Sequence, residues 1–583
     1  MRFGSKIRSD GASFRIWAPA ARQVDVSLEG QRVPMTRTDD GWFESTVTSA
    51  RVGDLYQFVI DGGEAVPDPA SRYQPRDANG PSQLIDPRSY AWTDDDWIGR
   101  PWYEAVIYEL HLGTFTEEGT YAAAARHLGR LADLGLTAIE LMPLADFAGA
   151  RNWGYDGVLP FAPDSRYGRP EELKAFICAA HSLGLMVLID VVYNHFGPEA
   201  NFLPIYAPQF FARRNTPWGQ ALDFTSRHLR EFFIDNALYW LEEYHMDGLR
   251  LDAVHAIDDD GSPHFLEELA ATIRQRLPLS RHVHLVIEND KNEAHFLDRA
   301  KPGFYDAQWN DDFHHAMHVI LTGETAGYYA DYSDRPLDKL GRSLAGGFIY
   351  RGEWSDYRGA PRGEPSSHLP PTAFVNFLQN HDQIGNRALG ERLTRLAAAP
   401  ALAAAAAIQI LSPGIPLLFM GEELGAADPF LFFCDFKVAL ADSVREGRRR
   451  EFSRVLAFAS QDARQRIPDP LAIETFERSG IARAAAAPDA ATRDRYCRLL
   501  DIRRREIVPR LGGDGPIVAN HESAGDILTV HWRFCDGSRL ALSANLTAKA
   551  KPWRPPCGAW RRMWGPSDLG TTLPPWTAIF MTT

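Results

Sequence analysis

The sequence is short of the features that mark several classes of protein. It has five cysteines in 583 residues (Cys178, Cys434, Cys497, Cys535 and Cys557), none of them in a C-x-x-C pair. An odd count cannot close into disulfides within one chain, and such usage suits a reducing cytoplasm better than a disulfide framework. Long apolar runs are missing too. Nothing reaches the ~20 residues of a membrane-spanning helix, and the opening Met1-Arg2-Phe3-Gly4-Ser5-Lys6-Ile7 lacks an apolar signal core. Neither a membrane partner nor export is expected. Positive charge is sparse: 62 Lys and Arg stand against 76 Asp and Glu, for a net charge of -14. The local basic runs are Arg448-Arg449-Arg450 and Arg503-Arg504-Arg505. A nucleic-acid groove needs concentrated positive charge, so that partner is not expected either.

What the chain does have is aromatic surface and a regular rhythm. Fifteen Trp, 19 Tyr and 32 Phe supply flat apolar faces, most of them for cores and some able to stack on sugar rings. Residues 13–60 alternate in short runs with turn punctuation, which predicts a β-sandwich of immunoglobulin-like type. From Ala105 the pattern becomes strand, helix, strand. Apolar runs at 106–110, 138–141, 186–190, 248–252, 283–288, 303–307, 374–378 and 415–419 alternate with helical stretches at 121–134, 171–183, 227–244, 263–277 and 388–411. Eight such strands close a parallel barrel, and the G-x-G-x-x-G of an open dinucleotide-binding sheet does not follow the first of them. After a helix at 488–505, alternation returns at 528–534, 539–546 and 576–581. The fold class expected is therefore α/β. A (β/α)8 TIM barrel at 93–511, with excursions near 196–226 and 428–480, follows an N-terminal sandwich at 1–92 and precedes a C-terminal one at 512–583.

Three acidic segments fall at strand C-termini, where a barrel places its chemistry: Gly248-Leu249-Arg250-Leu251-Asp252, Val286-Ile287-Glu288-Asn289-Asp290 and Gln379-Asn380-His381-Asp382-Gln383. Asp252, Glu288 and Asp382 are thus expected in one cleft. Alternation puts Arg250 and Asp252 on the same side of their strand, where the guanidinium would keep the carboxylate ionised as a nucleophile must be. Glu288 ends an apolar strand, and partial burial there would let it hold a proton for a leaving oxygen. Asp382 would favour positive charge at the sugar ring, with His381 bonding neighbouring hydroxyls. Two carboxyl groups dividing nucleophile and acid duties are what glycoside cleavage requires. Asn152-Trp153-Gly154-Tyr155-Asp156-Gly157 reads as a sugar platform on Trp153 and Tyr155, and Val191-Val192-Tyr193-Asn194-His195 offers His195 as a further donor. No H-x-x-x-H or cysteine pair gives His195 companion ligands at useful spacing. Oxygen ligands around Asn194 leave calcium as the competing role there.

These segments closely resemble the alpha-amylase superfamily of glycoside hydrolases. Asp190-Val191-Val192-Tyr193-Asn194-His195 resembles its third-strand signature, and the three acidic segments resemble its fourth-, fifth- and seventh-strand signatures. The resemblance implies that Asp252 is the nucleophile, Glu288 the acid/base and Asp382 the transition-state stabiliser, with Arg250, His195, His381 and Tyr155 lining the same subsite. Asn194-His195-Phe196-Gly197-Pro198, Ile287-Glu288-Asn289-Asp290, Gln379 through Arg387 and Met420-Gly421-Glu422-Glu423 narrow it further. They are similar to members that cut the α-1,4 bond between a maltooligosaccharide and a terminal trehalose. The implied substrate is maltooligosyltrehalose or another α-1,4-glucan-derived oligosaccharide. No cofactor is expected, and no metal either, since the segment 196–226 is shorter than the calcium-holding insertion typical of alpha-amylases. Asn289, Asp290, Gln383, Glu423 and the 428–480 excursion are expected on the leaving-group side, with Trp153 and Tyr155 under the ring that is cut. The nearest rival is the 1,4-alpha-glucan branching group, where Glu-Ser typically follows the acid/base in place of Asn289-Asp290.

Overall fold

In a computed structural model, the described residues are 1–583 apart from 217–218, 455–457, 459, 514, 557 and 568–569. Cys557 and part of the 428–480 excursion lie outside them. The centre is a closed barrel of eight parallel strands: β1 (Ile107–Leu110), β2 (Ala138–Leu141), β3 (Met186–Val191), β4 (Gly248–Leu251), β5 (His284–Ile287), β6 (Ala307–Trp309), β7 (Phe374–Phe377) and β8 (Ile415–Phe419). The strands are apolar because both faces are covered: the barrel packs inside on Ile107, Leu188 and Val375, and outside on helices. β3 is fully buried.

One strand departs from expectation. Residues 303–307 read as the sixth strand, but pairing runs from Ala307 to Trp309. Gly303 instead passes so close to helix Phe265–Arg276 that a Cβ would sit 2.5 Å from the Glu267 carbonyl oxygen, and the Tyr305 hydroxyl donates to Leu266 O at 2.9 Å. The polar Gln308 in mid-strand broke the apolar run, yet it is wholly buried with its amide donating to Asn289 O at 2.7 Å. The helix expected at 388–411 is divided into Leu393–Leu396 and Ala399–Leu411, with Pro400 in the first turn of the second, where its missing N–H costs nothing.

Before the barrel, Gly11–Trp17 and Trp42–Val47 anchor one antiparallel sheet, and Val24–Leu28 and Leu55–Ile60 anchor a second. Their inner faces bury Phe14, Ile16, Val26 and Phe58. After the barrel comes an antiparallel sheet in the order Val518–Ala524, Ile527–Arg533, Arg539–Asn545, Thr577–Thr582, Arg561–Trp564, with a two-stranded piece at Lys551–Pro552 and Thr572–Leu573. It sits on helix Pro336–Gly346, where Trp532 donates to Leu344 O at 3.2 Å. Gly341 permits that approach, since a Cβ there would meet His521 at 2.6 Å. Among the described residues no helix is long and apolar enough to cross a membrane.

Candidate active site

A cavity of about 570 Å³ opens at the C-terminal ends of the barrel strands, lined by Asp252, Glu288 and Asp382 from β4, β5 and β7 together with Tyr155, His195 and Gln383. Arg250 organises it. Wholly buried on β4, its guanidinium lies 4.0 Å over the Trp309 ring and reaches three carboxylates: Asp190 Oδ2 at 2.5 Å, Asp252 Oδ1 at 3.0 Å and Glu288 Oε2 at 2.7 Å. A planar fork with five donors suits this task better than an ammonium would. Burial opposes its charge, but Asp190 and Glu288 outweigh that and hold the pKa of Arg250 well above its usual value.

Each carboxyl is fixed by further donors. Asn194 donates to Asp252 Oδ2 at 2.9 Å, and the Ala253 amide donates to Glu288 Oε2 at 2.9 Å. Asp190 accepts from the Tyr155 hydroxyl at 2.6 Å, and burial lifts its pKa to about 7 even with Arg250 against it. Burial also raises Asp382, against the neighbouring His381 and Arg250. His381 lies edge-on to Trp153 and stacked on Tyr155, with ring centroids 5.0 Å apart. Its Nε2 is 3.4 Å from Asp382 Oδ2, and its Nδ1 meets Glu109 of β1. Burial lowers the imidazole, but Asp382 and Glu109 prevail and raise it to about 9. His195 pairs through Nδ1 with the Asn194 side chain, and burial depresses its pKa against Asp252 and Asp156.

Trp153 is almost wholly covered: it stacks on Phe430 and donates to Leu431 O at 2.9 Å. Gly385 makes room for it, since a Cβ would lie 2.0 Å from its ring. Asp290 also lines the cavity, held by Arg358 at 2.7 Å and 3.7 Å from His255 Nδ1. Burial pushes its pKa up, yet His255 and Arg358 outweigh it and leave it lowered. Of the residues expected on the cavity, Arg250 and His381 are buried and do not line it, and two more are elsewhere. The Asn289 side chain is buried and donates to Glu293 at 2.9 Å, because the turn after β5 points it back into the scaffold. Glu423 is fully buried behind β8, accepting from Tyr108 at 3.1 Å and paired with Arg130 at 2.8 Å.

Comparison with known proteins agrees with this geometry. Residues 2–80 match carbohydrate-binding module 48 (isoamylase N-terminal domain), and residues 84–204 match the alpha amylase catalytic domain. A malto-oligosyltrehalose trehalohydrolase from Saccharolobus solfataricus is 43% identical over 77% of this chain and 80% of its own, and one from Deinococcus radiodurans is 41% identical over 91% and 87%. The chain belongs to the malto-oligosyltrehalose trehalohydrolase family. A 1.4 Å crystal structure of a protein from Salmonella typhimurium superposes with TM-score 0.93 at 43% identity over 100% of this chain and 99% of that one. A Paenibacillus barengoltzii pullulanase, at 20% identity and TM-score 0.72 over 100% and 94% of the two chains, shares the fold. A branching enzyme from Streptomyces avermitilis matches 46% of this chain and 53% of its own at 33% identity.

Within this trehalohydrolase-family chain the wall beside Asp290 comes from an unexpected place. Of the described residues of 428–480, Phe432 reaches the cavity, and it packs against Trp153 there. The facing wall is built from 327–362 and carries Tyr328, Asp331, Tyr332, Tyr357, Arg358 and Arg362. Asp312 pins it, accepting from Arg362 at 2.9 Å and from the Ile349 amide at 2.6 Å. Asp311 lines the cavity as well, with burial raising its pKa well above the usual value. Asp311 follows β6 as the other acids follow their strands. Placing that strand four residues early hid it. The chain does hold one H-x-x-x-H, at His314 and His318 on helix Asp311–Thr322. Three of its four ring nitrogens are engaged, by Leu378 O at 2.7 Å, by the Tyr329 hydroxyl at 3.1 Å and by Glu324 at 2.8 Å, while His318 Nδ1 is buried without a partner among the described residues.

Proposed function

We propose that this protein is a retaining glycoside hydrolase that cleaves the α-1,4 bond between the maltooligosyl part and the terminal trehalose of maltooligosyltrehalose. The observation that carries the reading is Arg250, whose single buried guanidinium binds both Asp252 and Glu288 of the cavity lining, in a chain 41–43% identical to named trehalohydrolases. One shared fork favours the ~5–5.5 Å carboxyl spacing of retaining sites over the ~6.5–9.5 Å that inversion needs for a water.

In the first step an Asp252 oxygen bonds to the anomeric carbon as the glycosidic C–O bond breaks, and Glu288 gives its proton to the departing oxygen. Trehalose leaves. With Oε2 held by Arg250 and the Ala253 amide, Oε1 is the oxygen assigned to that proton. In the second step Glu288 takes a proton from water, the water oxygen bonds to the same carbon, and Asp252 departs. Two displacements restore the α configuration. Asp382 faces the positive charge that develops at the ring, with Tyr155 and His195 beside it.

The leaving disaccharide is bent and has no reducing end. Asp290, Arg358 and Tyr357 stand on the Glu288 side of the cavity, a set able to pair with its hydroxyls and to stop a linear chain. Parallel incubation with maltooligosyltrehalose and plain maltooligosaccharide is the test, with NMR of fresh product before mutarotation. Trehalose and an α-anomeric maltooligosaccharide are expected from the first. An initially β product overturns retention. Chain transfer without trehalose would return the branching reaction.

A further inference from the structure

His381 stands between two carboxylates. Its Nδ1 meets Glu109 Oε1 and its amide donates to Glu109 Oε2 at 3.3 Å, while its Nε2 lies 3.4 Å from Asp382 Oδ2. The ring cannot turn away, because Trp153 meets it edge-on at 5.5 Å, Tyr155 covers a face at 5.0 Å and Trp309 lies 6.0 Å off. Glu109 is equally fixed: it and His381 are each 1% exposed, and the Met420 amide donates to the Glu109 carbonyl at 2.9 Å. A neutral imidazole has one N–H and one lone pair, so in this arrangement it would aim a lone pair at a carboxylate oxygen. The imidazolium donates to both.

We propose that Glu109 is a positioning residue that keeps His381 as a cation, its Nδ1–H on Glu109 and its Nε2–H toward Asp382 and the sugar hydroxyl beside it. Glu109 is sealed beneath the cavity and acts through His381. The other groups around the ring fit this role. Glu140, paired with Glu109 in register on β2, is wholly buried with Oε2 unpartnered, and burial together with Glu109 pushes its carboxyl well up, toward the neutral form. Arg250 on β4 opposes a cation at His381, and buried His111 beyond β1 has its own pKa held down to about 4 by burial, so it adds no charge. Glu109 and Asp382 are the acids left to balance the ring, and both raise its pKa against the pull of burial. The cation in turn opposes the burial that would protonate Asp382.

The experiment compares wild type, Glu109→Gln, Glu109→Asp and a reference Glu288-intact His381→Gln, using pH profiles on maltooligosyltrehalose and NMR of 15N-histidine-labelled protein. Expected is a loss of roughly 10–100-fold in kcat at neutral pH for Glu109→Gln with KM little changed, and substantial recovery in Glu109→Asp. The alkaline limb of the Glu109→Gln profile should move toward acid. In wild type at pH 8 an imidazolium signal should be present that His381→Gln removes and Glu109→Gln converts to neutral imidazole, separate from that of His181, which also bridges two carboxylates. An unshifted profile in Glu109→Gln, or a neutral His381 in the wild type at pH 8, overturns the proposal. A neutral His381 in the wild-type titration overturns the proposal even if Glu109→Gln does not fold, and Glu109→Asp then carries the assignment to Glu109. The choice of substrate rests on the function proposed above, but the NMR readout needs none, so failure to release trehalose would sink that reading alone.

Discussion

Of the three arginines buried without exposure among the described residues, Arg250 and Arg503 lie at opposite ends of this barrel, and they are used differently. Arg250, at the strand C-termini, binds carboxylates from β3, β4 and β5. Arg503, at the start of a π-helical turn (Arg503–Ile507), binds carbonyls of Ile410, Ser412 and Gly414 at 2.7–2.8 Å. Those carbonyls belong to the end of helix Ala399–Leu411 and the turn into β8, groups a helix C-terminus leaves without partners. Burial alone acts on Arg503 and lowers its pKa to about 9, whereas the acids around Arg250 drive its pKa upward. Burial by itself therefore does not mark a functional charge. The partners do: carboxylates that retain chemistry at one end, backbone that needs only a donor at the other.

The largest effects should follow from breaking the Arg250 end without touching the fold. Asp252→Asn keeps the shape of the side chain but cannot form the glycosyl bond, and should cost at least ~10⁴-fold in kcat. Glu288→Gln should lose comparably on natural glycans, yet recover on substrates whose leaving group needs no proton. Equal losses on both substrate types would remove Glu288 from the acid role. Far-ultraviolet circular dichroism and the melting temperature should stay near wild type in both.

Arg503→Met is the converse. It strands three buried carbonyls, and a loss of roughly 1–3 kcal/mol in unfolding free energy is expected, with kcat/KM unchanged at temperatures where the protein is folded. A fall in kcat/KM without a fall in stability would erase the distinction between the two arginines.

How much of this was legible in the sequence follows the same division. Asp252, Glu288 and Asp382 could be read because each follows an apolar strand, and strand ends are where barrels converge. Arg250 was readable through alternation on its strand. Glu423 and Asn289 were misassigned because proximity to a strand end says nothing about whether the next turn points inward or back, and both turned toward the scaffold. Glu109 was invisible for the opposite reason: a charge inside a strand reads as an interruption until its partner, His381, is seen across 272 residues. The wall at 327–362 was passed over because its rigidity comes from Asp312 and Arg362, a pair separated by 50 residues with no periodic signature.

The Asp290 side of the cavity sharpens the comparison further. Arg358→Ala removes a guanidinium that is partly exposed and bound to Asp290, so little stability should be lost. If this wall reads the bent leaving disaccharide, the ratio of kcat/KM for maltooligosyltrehalose over linear maltooligosaccharide should fall by about 10-fold, the worth of a lost specific hydrogen-bonding group. A constant ratio with both substrates still cleaved would move selectivity to another part of the cleft.

The smallest effect concerns pH, and its sign can be worked out from three groups, two at the site and one, Glu422, that does not line the cavity. Burial raises Glu422, behind β8, to about 8 and Asp190 to about 7, while Asp382 and Glu109 outweigh burial to raise His381 to about 9. Each binds more protons folded than unfolded once the pH passes its ordinary value, so each contributes stability that is present at low pH and lost as pH rises through the folded value. For the two acids that loss begins near their ordinary ~4 and is complete near 7 and 8; for His381 it begins near ~6.5 and ends near 9. The melting temperature should fall by a few degrees between pH 6 and pH 9. Glu422→Gln, which removes a titrating group that does not line the cavity, should flatten that fall while leaving the pH profile of kcat/KM where it was. If Glu422→Gln instead shifts the activity profile, the acid behind β8 communicates with the site, and the division between chemical and scaffold charges fails at that residue.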